Sequence, residues 1–416
     1  MKLSKYSFGV GDRFGHQGVA QLKALMEAMK GSIEVTPVWN KSNREHSIIH
    51  SLPHDTRKAA DAAVKMMNFK GQYYVDADHI NMSNVDKFIE YSDFFTIDVA
   101  DYIGKAADAD LIKKSVENNR VLIGNLQIPG LQETIQIDGK NLEDIIKKYL
   151  FATSEAGKIY RHIESKKGKD FFIAEVSMDE VDVPQTPVEL LVILALLSQE
   201  KVPLQTIAPR FSGRFNKGVD YVGDVAKFRK EFEEDLMVIE YAIKKYGLPE
   251  NLKLSIHSGS DKFSIYPVIK EMLKKHDKGI HVKTAGTTWL EEVIGLAVSG
   301  GEALQLAKKI YTEALARKDE LCAPYAQVID IDSVKLPLAK TVDTWTSEQY
   351  ANALRHIPGH KEYNPHFRQL IHVGYKMAVE HAADYYSCLE KYPEIIERQV
   401  YENLYERHLC RLFDLK

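Results

Sequence analysis

The sequence predicts a (β/α)8 barrel of the TIM type, and three observations carry that prediction. Eight short apolar runs recur along the chain, each ending in polar residues. Most of the segments between them have helical periodicity, and several runs place polar side chains at alternate positions, on one face of a strand. Strands that alternate with helices form a parallel sheet, and eight such units close into a barrel whose strand C-terminal ends share one mouth.

The first run, SFGVGDR (7–13), ends in a glycine-rich turn. The second, EVTPVWNKSN (34–43), turns Asn40 inward, and the third, QYYVDADH (72–79), turns Asp76 and Asp78 the same way. FFTIDVAD (94–101) contributes Asp98, and FFIAEVSMDE (171–180) contributes Glu175 and Ser177. The sixth run, LQTIAPRFSGR (204–214), carries Arg210; LKLSIHSGSDK (252–262) carries Ser255 and His257; GIHVKTAGT (279–287) carries His281 and Lys283. A packed apolar lumen would not hold these groups, because a buried charge costs several kcal/mol unless it is paired, hydrogen-bonded or metal-bound. Their convergence predicts a ligand-holding cavity, and hence an enzyme.

A barrel of this kind needs about 250 residues, so residues 1–300 are assigned to it and 301–416 to a C-terminal extension. The extension reads as helical at 303–321, at 347–356 and from Pro365 to about Glu390, where Asn364 is placed to cap the last helix. His366 and His372 lie near the start of that helix. Between the fourth and fifth runs the chain spends about seventy residues, far beyond an ordinary connection. There, 121–139 reads as a short β excursion with turns at Pro129-Gly130 and Asp138-Gly139, and 141–168 as a helix. Such an insertion covers a barrel mouth or joins identical subunits, so a homo-oligomer is one expectation.

The net charge of −4 and pI near 6.4 leave no electrostatic footprint for nucleic acid or an anionic membrane. No apolar run approaches a membrane span; the longest, LLVILALL (190–197), suits a buried helix. A strand pattern begins within the first ten residues, and Cys322, Cys388 and Cys410 have no metal-ligand spacing. A cytoplasmic location, reduced thiols and a small-molecule partner are therefore expected. The turn GVGDRFG (9–15) has the wrong spacing for a nicotinamide-binding loop, and no phosphate-binding GxxxxGK[ST] motif is present.

Two chemistries fit the inward residues. One is a divalent metal, Zn²⁺, Mn²⁺, Co²⁺ or Ni²⁺, held by imidazoles and carboxylates drawn from His79, His257, Asp76, Asp78, Asp98 and Glu175. The other is a Schiff base on Lys283. The metal reading is preferred, because several ligands converge where only one strand-end lysine faces inward.

SFGVGDRFG (7–15), VDADHI (75–80), APRFSGRFNKGVDYVGD (208–224), IHSGSDKFSIYP (256–267) and HVKTAGTTWLEE (281–292) resemble the tagaturonate epimerase family of hexuronate catabolism. The resemblance implies a metal-dependent barrel enzyme that interconverts the sugar acids D-tagaturonate and D-fructuronate. The carbinol carbon to be inverted lies β to the ketone, out of reach of simple enolisation, so either transient oxidation or reversible carbon–carbon cleavage is needed; with no nicotinamide motif in the sequence, retro-aldol cleavage, rotation and re-addition is the favoured route. On that reading His79, Glu175 and His257 are the metal ligands, Asp78 is the base, and Asp98 is its partner or an orienting group, with the roles of Asp78 and Glu175 open to exchange. Asp12, Arg13, Asn40, Lys41, Arg210, Lys217, Ser258, Lys262 and Lys283 are the candidate substrate contacts, with Arg210 favoured for bidentate carboxylate recognition. A metal-dependent aldolase or ketose isomerase on the same barrel is the nearest rival, and a non-catalytic sugar-acid binding protein the next.

Overall fold

The computed structural model describes residues 1–31, 33–257, 261–284 and 286–415. Eight parallel strands close into the predicted barrel: β1 (Tyr6–Gly11), β2 (Val35–Ser42), β3 (Tyr74–Ile80), β4 (Phe94–Asp98), β5 (Ile173–Ser177), β6 (Thr206–Ala208), β7 (Lys253–His257) and β8 (Ile280–Lys283). Each strand pairs with its successor, and β8 pairs with β1, so all eight apolar runs become barrel strands in sequence order.

The lumen changes character along its axis. Near the strand N-terminal ends Val38, Tyr74, Phe94 and Ile173 pack with Leu3 as an apolar floor. Two residues further on, the same four strands carry Asn40, Asp76, Thr96 and Glu175, all buried. The period-two pattern read from sequence thus places an acidic layer directly above a hydrophobic one. β1 supplies glycine for a steric reason: a Cβ on Gly9 would stand 2.9 Å from Cγ of Lys283, its partner in register. The absent side chain is the space through which Lys283 crosses the lumen.

The long excursion after β4 forms an antiparallel hairpin, Gly124–Leu126 with Ile135–Ile137, followed by the helix Gly139–Lys167. Gly130 takes φ 94°, as its turn requires, and Asp138 caps the helix by accepting from the Asn141 amide at 2.7 Å. The hairpin tip lies against the helix Val225–Tyr246, where Lys230 pairs with Glu133 at 3.1 Å. It braces the flank of the barrel, and none of its residues lines the mouth. The helix Pro187–Gln199 begins with a Thr186/Glu189 capping box and buries all of Leu190–Leu197, as its uninterrupted apolar sequence requires.

The C-terminal extension is helical, but the continuous helix expected from Pro365 to about Glu390 is interrupted twice, giving Pro365–Val373, Tyr375–Glu380 and Ala382–Lys391. At the first break, Gly374 sits so close to its surroundings that a Cβ would lie 3.0 Å from the Leu370 carbonyl and 3.2 Å from Ala314. At the second, the His381 amide is shared between the Met377 and Ala378 carbonyls. Asn364 caps the first segment as expected, accepting from the amides of His366 and Phe367. Trp289, Val293 and Ile294 of the helix Thr287–Ser299, which follows β8, share one core with Tyr311, Phe367 and Ile371 of the extension. Val400, Leu404, Leu409 and Leu412 return to the barrel's own core. Among the described residues no helix is long and apolar enough to cross a membrane, and the three cysteines are free.

Candidate active site

Lys283, at the end of β8, reaches across the lumen into the acidic layer. Its Nζ lies 2.7 Å from Asp76, 2.6 Å from Asp78 and 3.3 Å from Glu175, and it donates to Thr96 Oγ1 at 2.6 Å. Burial opposes the ammonium charge, yet the three carboxylates hold its pKa well above the ordinary amine value. The same burial would raise all three acids. Lys283 and the neighbouring imidazoles instead keep Asp78 and Glu175 low, while Asp76, flanked by both, is lifted to about 7. An ammonium engaged in this way is a charged hub, which argues against the Schiff-base alternative.

Two imidazoles stand above this hub. Strict alternation would send His79 out of the barrel, because Asp78 before it points in. The register of β3 against β4 shifts between Ala77 and Ile80, and His79 takes a left-handed φ of 50°, so Asp78 and His79 both face the mouth. Asp98 lies 2.8 Å from His79 Nδ1 and so fixes the ring's orientation. His257 Nε2 lies 2.8 Å from Glu175, and its Nδ1 lies 3.1 Å from Asp179. Burial disfavours charge on both rings, but Asp179 leads a set of acids that pushes His257 up to about 9, and Asp78 and Asp98 raise His79 well above the usual value.

Ligand atoms of His79, Asp179 and His257 lie within 4.8 Å of one another, as do those of His79, Asp98 and Glu180. Asp179 thus joins the two imidazoles in a candidate ligand group, beside Glu175, the third ligand expected from the family resemblance. Glu175 is engaged by Lys283 and Thr96 and meets Nε2 of His257, while Asp179 faces Nδ1 of the same ring. Asp179 lies in the same run as Glu175 and Ser177, two residues beyond the end of β5.

Arg13, Asn40, Asp78, His79, Lys217, His257 and Lys283, all expected at the site, line the mouth together. Asp12, Lys41, Arg210 and Lys262 do not. Asp12 accepts from the amides of Gly15 and Gln17 and shapes the loop after β1. Lys41 follows Asn40 and so points the other way, donating to the Arg13 carbonyl at 2.9 Å. Arg210 lies beyond the end of β6 with its guanidinium 6.0 Å from the Phe215 ring. Lys262 is fully buried and donates to the carbonyls of Asn216 and Val219. Ser258 lies outside the described residues.

The mouth is completed by residues that the strand pattern does not single out: Ser42, Arg44, Glu45, Asp179, Glu180 and Tyr325. His372, notable in the sequence only as one of a helix pair, also lines it, whereas His366 accepts from the Asp332 amide elsewhere. Tyr325 and His372 come from the extension, more than 280 positions after β2, and carry no local signal. Arg13 is held by Glu45 at 2.9 Å, by the His372 carbonyl at 3.0 Å and by the Tyr375 ring at 4.0 Å. A larger cavity, about 570 Å³, lies at the opposite end of the barrel between Leu236, Ile239 and Lys253. Its lining includes Glu240, Glu250 and Asp277 among several lysines but, among the described residues, no imidazole, and the C-terminal ends of barrel strands are where barrel chemistry is built.

Comparison with known proteins agrees with this geometry. A family model described as UxaE, tagaturonate epimerase, matches residues 1–415. A tagaturonate/fructuronate epimerase of Thermotoga maritima is 29% identical over 419 residues, covering 97% of this chain and 80% of the relative. Crystal structures of the fructuronate-tagaturonate epimerase UxaE from Cohnella laeviribosi, one with glycerol and one native, superpose with TM-scores of 0.82 and 0.80 at 22% identity, covering 100% of this chain and 82% of theirs. At that identity the structural likeness speaks for the fold, and the family match speaks for the lineage. With a lumen of acids and imidazoles on a barrel of this shape, and a family match along nearly its whole length, the chain belongs to the tagaturonate epimerase family and is a carbohydrate epimerase.

Proposed function

We propose that this chain interconverts D-tagaturonate and D-fructuronate with the help of a divalent metal ion held by His79, Asp179 and His257. The observation that carries the proposal is the convergence of two imidazoles and one carboxylate above an acidic layer clamped by Lys283. The donor set suits Zn²⁺, Mn²⁺, Co²⁺ or Ni²⁺ with positions left for substrate. The acids that draw protons onto both imidazoles create the field that a dication would replace, and the buried Glu175 Oε2 has no hydrogen-bond partner among the described residues. When bound, such an ion supplies Lewis-acid stabilisation of the negative charge that develops as a carbon–carbon bond opens.

The chain's own residues then divide the proton work. Asp78 is the carboxylate of the acidic layer that also lines the mouth, which makes it the acceptor for the β-hydroxyl proton as the bond between the α and β carbons breaks. Its contact with Lys283 lowers its basicity, and Lys283 is placed to stabilise the carboxylate again when the proton returns. Asp98 holds His79 in one orientation throughout.

Incubation with tagaturonate, followed by NMR, tests the activity. Fructuronate supports the proposal; three-carbon fragments alone would assign an aldolase instead. Substrate deuterated at the inverted carbon keeps its label if the bond is cleaved and re-formed, and loss of deuterium to solvent would overturn that route. Chelation is expected to abolish turnover, and Asp179→Ala to lower metal content measured by elemental analysis. Full turnover by metal-free protein would refute the metal assignment.

A further inference from the structure

Four cations line the mouth: Arg13, Arg44, Lys217 and Lys283. Three of them are engaged by acids, Arg13 by Glu45 at 2.9 Å, Arg44 by Glu180 at 3.9 Å, and Lys283 by Asp76, Asp78 and Glu175. Lys217 differs: among the described residues no carboxylate lies within 4.0 Å of its ammonium. Beside it stands His372, 1% exposed, with neither ring nitrogen hydrogen-bonded within the described residues. A buried imidazole with two idle nitrogens loses the hydration of both unless something from outside completes them.

The backbone around Lys217 is pinned from several sides. Lys262 donates to the carbonyls of Asn216 at 2.9 Å and Val219 at 2.6 Å, one on each side of Lys217. Arg368, fully buried, donates to the Gly218 carbonyl at 2.6 Å, and the Lys217 amide donates to the Val328 carbonyl at 2.7 Å. Gly218 takes φ 80°, a conformation that favours glycine, with His372 Cβ 3.4 Å from where a side chain would begin. Buried cations spent on loop carbonyls make the segment a preorganised presenter of its one outward-pointing charge.

We infer that Lys217 and His372 form the receptor for the substrate carboxylate and thereby set the preference for sugar acids over neutral ketoses. The inference rests on the sugar-acid reading of the mouth and goes beyond it by naming the residues that read the acid. Burial, followed by the fields of Arg13 and Lys217, keeps the imidazole neutral, so one ring N–H donates to a carboxylate oxygen while Lys217 supplies the charge. In the cleavage route the carboxylate travels on the aldehyde fragment, so the same two residues would tether the half that must rotate.

The test compares D-tagaturonate with D-tagatose, which has a hydroxymethyl group where the uronate has its carboxylate. Lys217→Met is expected to lower kcat/KM for tagaturonate by roughly 10- to 100-fold, the range for a lost hydrogen bond to a charged group, with the loss falling on the acid and much less on the ketose. Lys217→Arg is expected to recover most of it, and His372→Gln to reproduce part of it. Calorimetric binding of tagaturonate, which does not depend on turnover, is expected to weaken in Lys217→Met by the same factor. Equal losses for acid and ketose, or unchanged binding, would overturn the inference. Should His372→Gln fail to fold by circular dichroism, the partly exposed Lys217 still decides the matter. A wild-type protein that binds tagaturonate without epimerising it would refute the proposed function while leaving the binding comparison intact.

Discussion

Replacing Asp261 by Asn removes one buried negative charge with little change of shape. Asp261 is fully buried and receives Arg368 at 2.7 Å, His408 at 2.9 Å, His356 at 3.2 Å and Asn403 at 3.4 Å, which ties the start of the segment after β7 to three separate parts of the extension. Without it the Arg368 guanidinium, itself 0% exposed, keeps among the described residues only Glu291, at 3.7 Å, as a counter-charge. Breaking a buried ion pair from one side costs about 3–5 kcal/mol. An unfolding entropy of about 2.1 cal/mol/K per residue gives roughly 0.9 kcal/mol per degree for this chain length, so Tm is expected to fall by about 3–6 °C. Scanning calorimetry at a fixed rate measures it. The double variant Asp261→Asn/Arg368→Met, in which neither charge is left alone, is expected to melt above the single one. A single variant that melts within about 1 °C of wild type, or a double variant no better than the single, would refute the claim that this pair clamps the extension to the barrel.

Three further perturbations follow from the site and its surroundings. Lys283→Met leaves Asp76, Asp78 and Glu175 without their shared cation and is expected to abolish turnover by NMR and to cost about 3–5 kcal/mol in denaturant unfolding; adding Asp76→Asn is expected to restore stability but not activity, and wild-type stability in the single variant would show that the hub is not needed. Gly9→Ala places a methyl group 2.9 Å from Lys283 Cγ and is expected to destabilise by about 1–3 kcal/mol while reducing kcat, and an unaffected kcat would mean that Lys283 tolerates displacement. Glu292, raised to about 8 by burial and by Asp12, with Tyr385 donating to it at 2.8 Å, retains its proton when folded and loses it when unfolded at neutral pH. Its contribution is complete below pH about 4.5 and is lost as pH rises toward 8, at up to about 1.4 kcal/mol per pH unit; Glu292→Gln should therefore gain on wild type steadily across that window in pH-dependent melting, and a pH-independent offset would count against it.

Barrel and lumen are legible in the sequence because both follow from the two-residue pleat: counting along each strand is enough to put Asn40, Asp76, Glu175, His257 and Lys283 on one face. Lys41 obeys the same count, for its place next to Asn40 points it away from the mouth. His79 is the opposite case, since it reaches the mouth only through a register shift that alternation does not encode. Arg210 has the right chemical type for a carboxylate, but β6 ends at Ala208 and the pleat no longer aims a side chain two residues later. Tyr325 and His372 are illegible as site residues because their position depends on how the extension folds back, and long-range packing leaves no trace in a local window.

That fold-back governs when the enzyme can exist at all. The π-helical turn Asn403–Leu409 places His408 against Asp261 and Leu404 and Leu409 in the barrel's core, and a Cβ on Gly31 would meet Leu415 at 2.9 Å, so the final residues are sewn to some of the first. A chain emerging from the ribosome makes all eight strands well before it makes His372 or Asn403. Until then it has a lumen without one wall of its mouth and with Asp261 lacking its partners. Contacts of such sequence separation form slowly, and their lateness means that a chain terminated before His372 or Asn403 yields an unfinished mouth, while catalytic competence is reserved for molecules synthesised through the turn Asn403–Leu409.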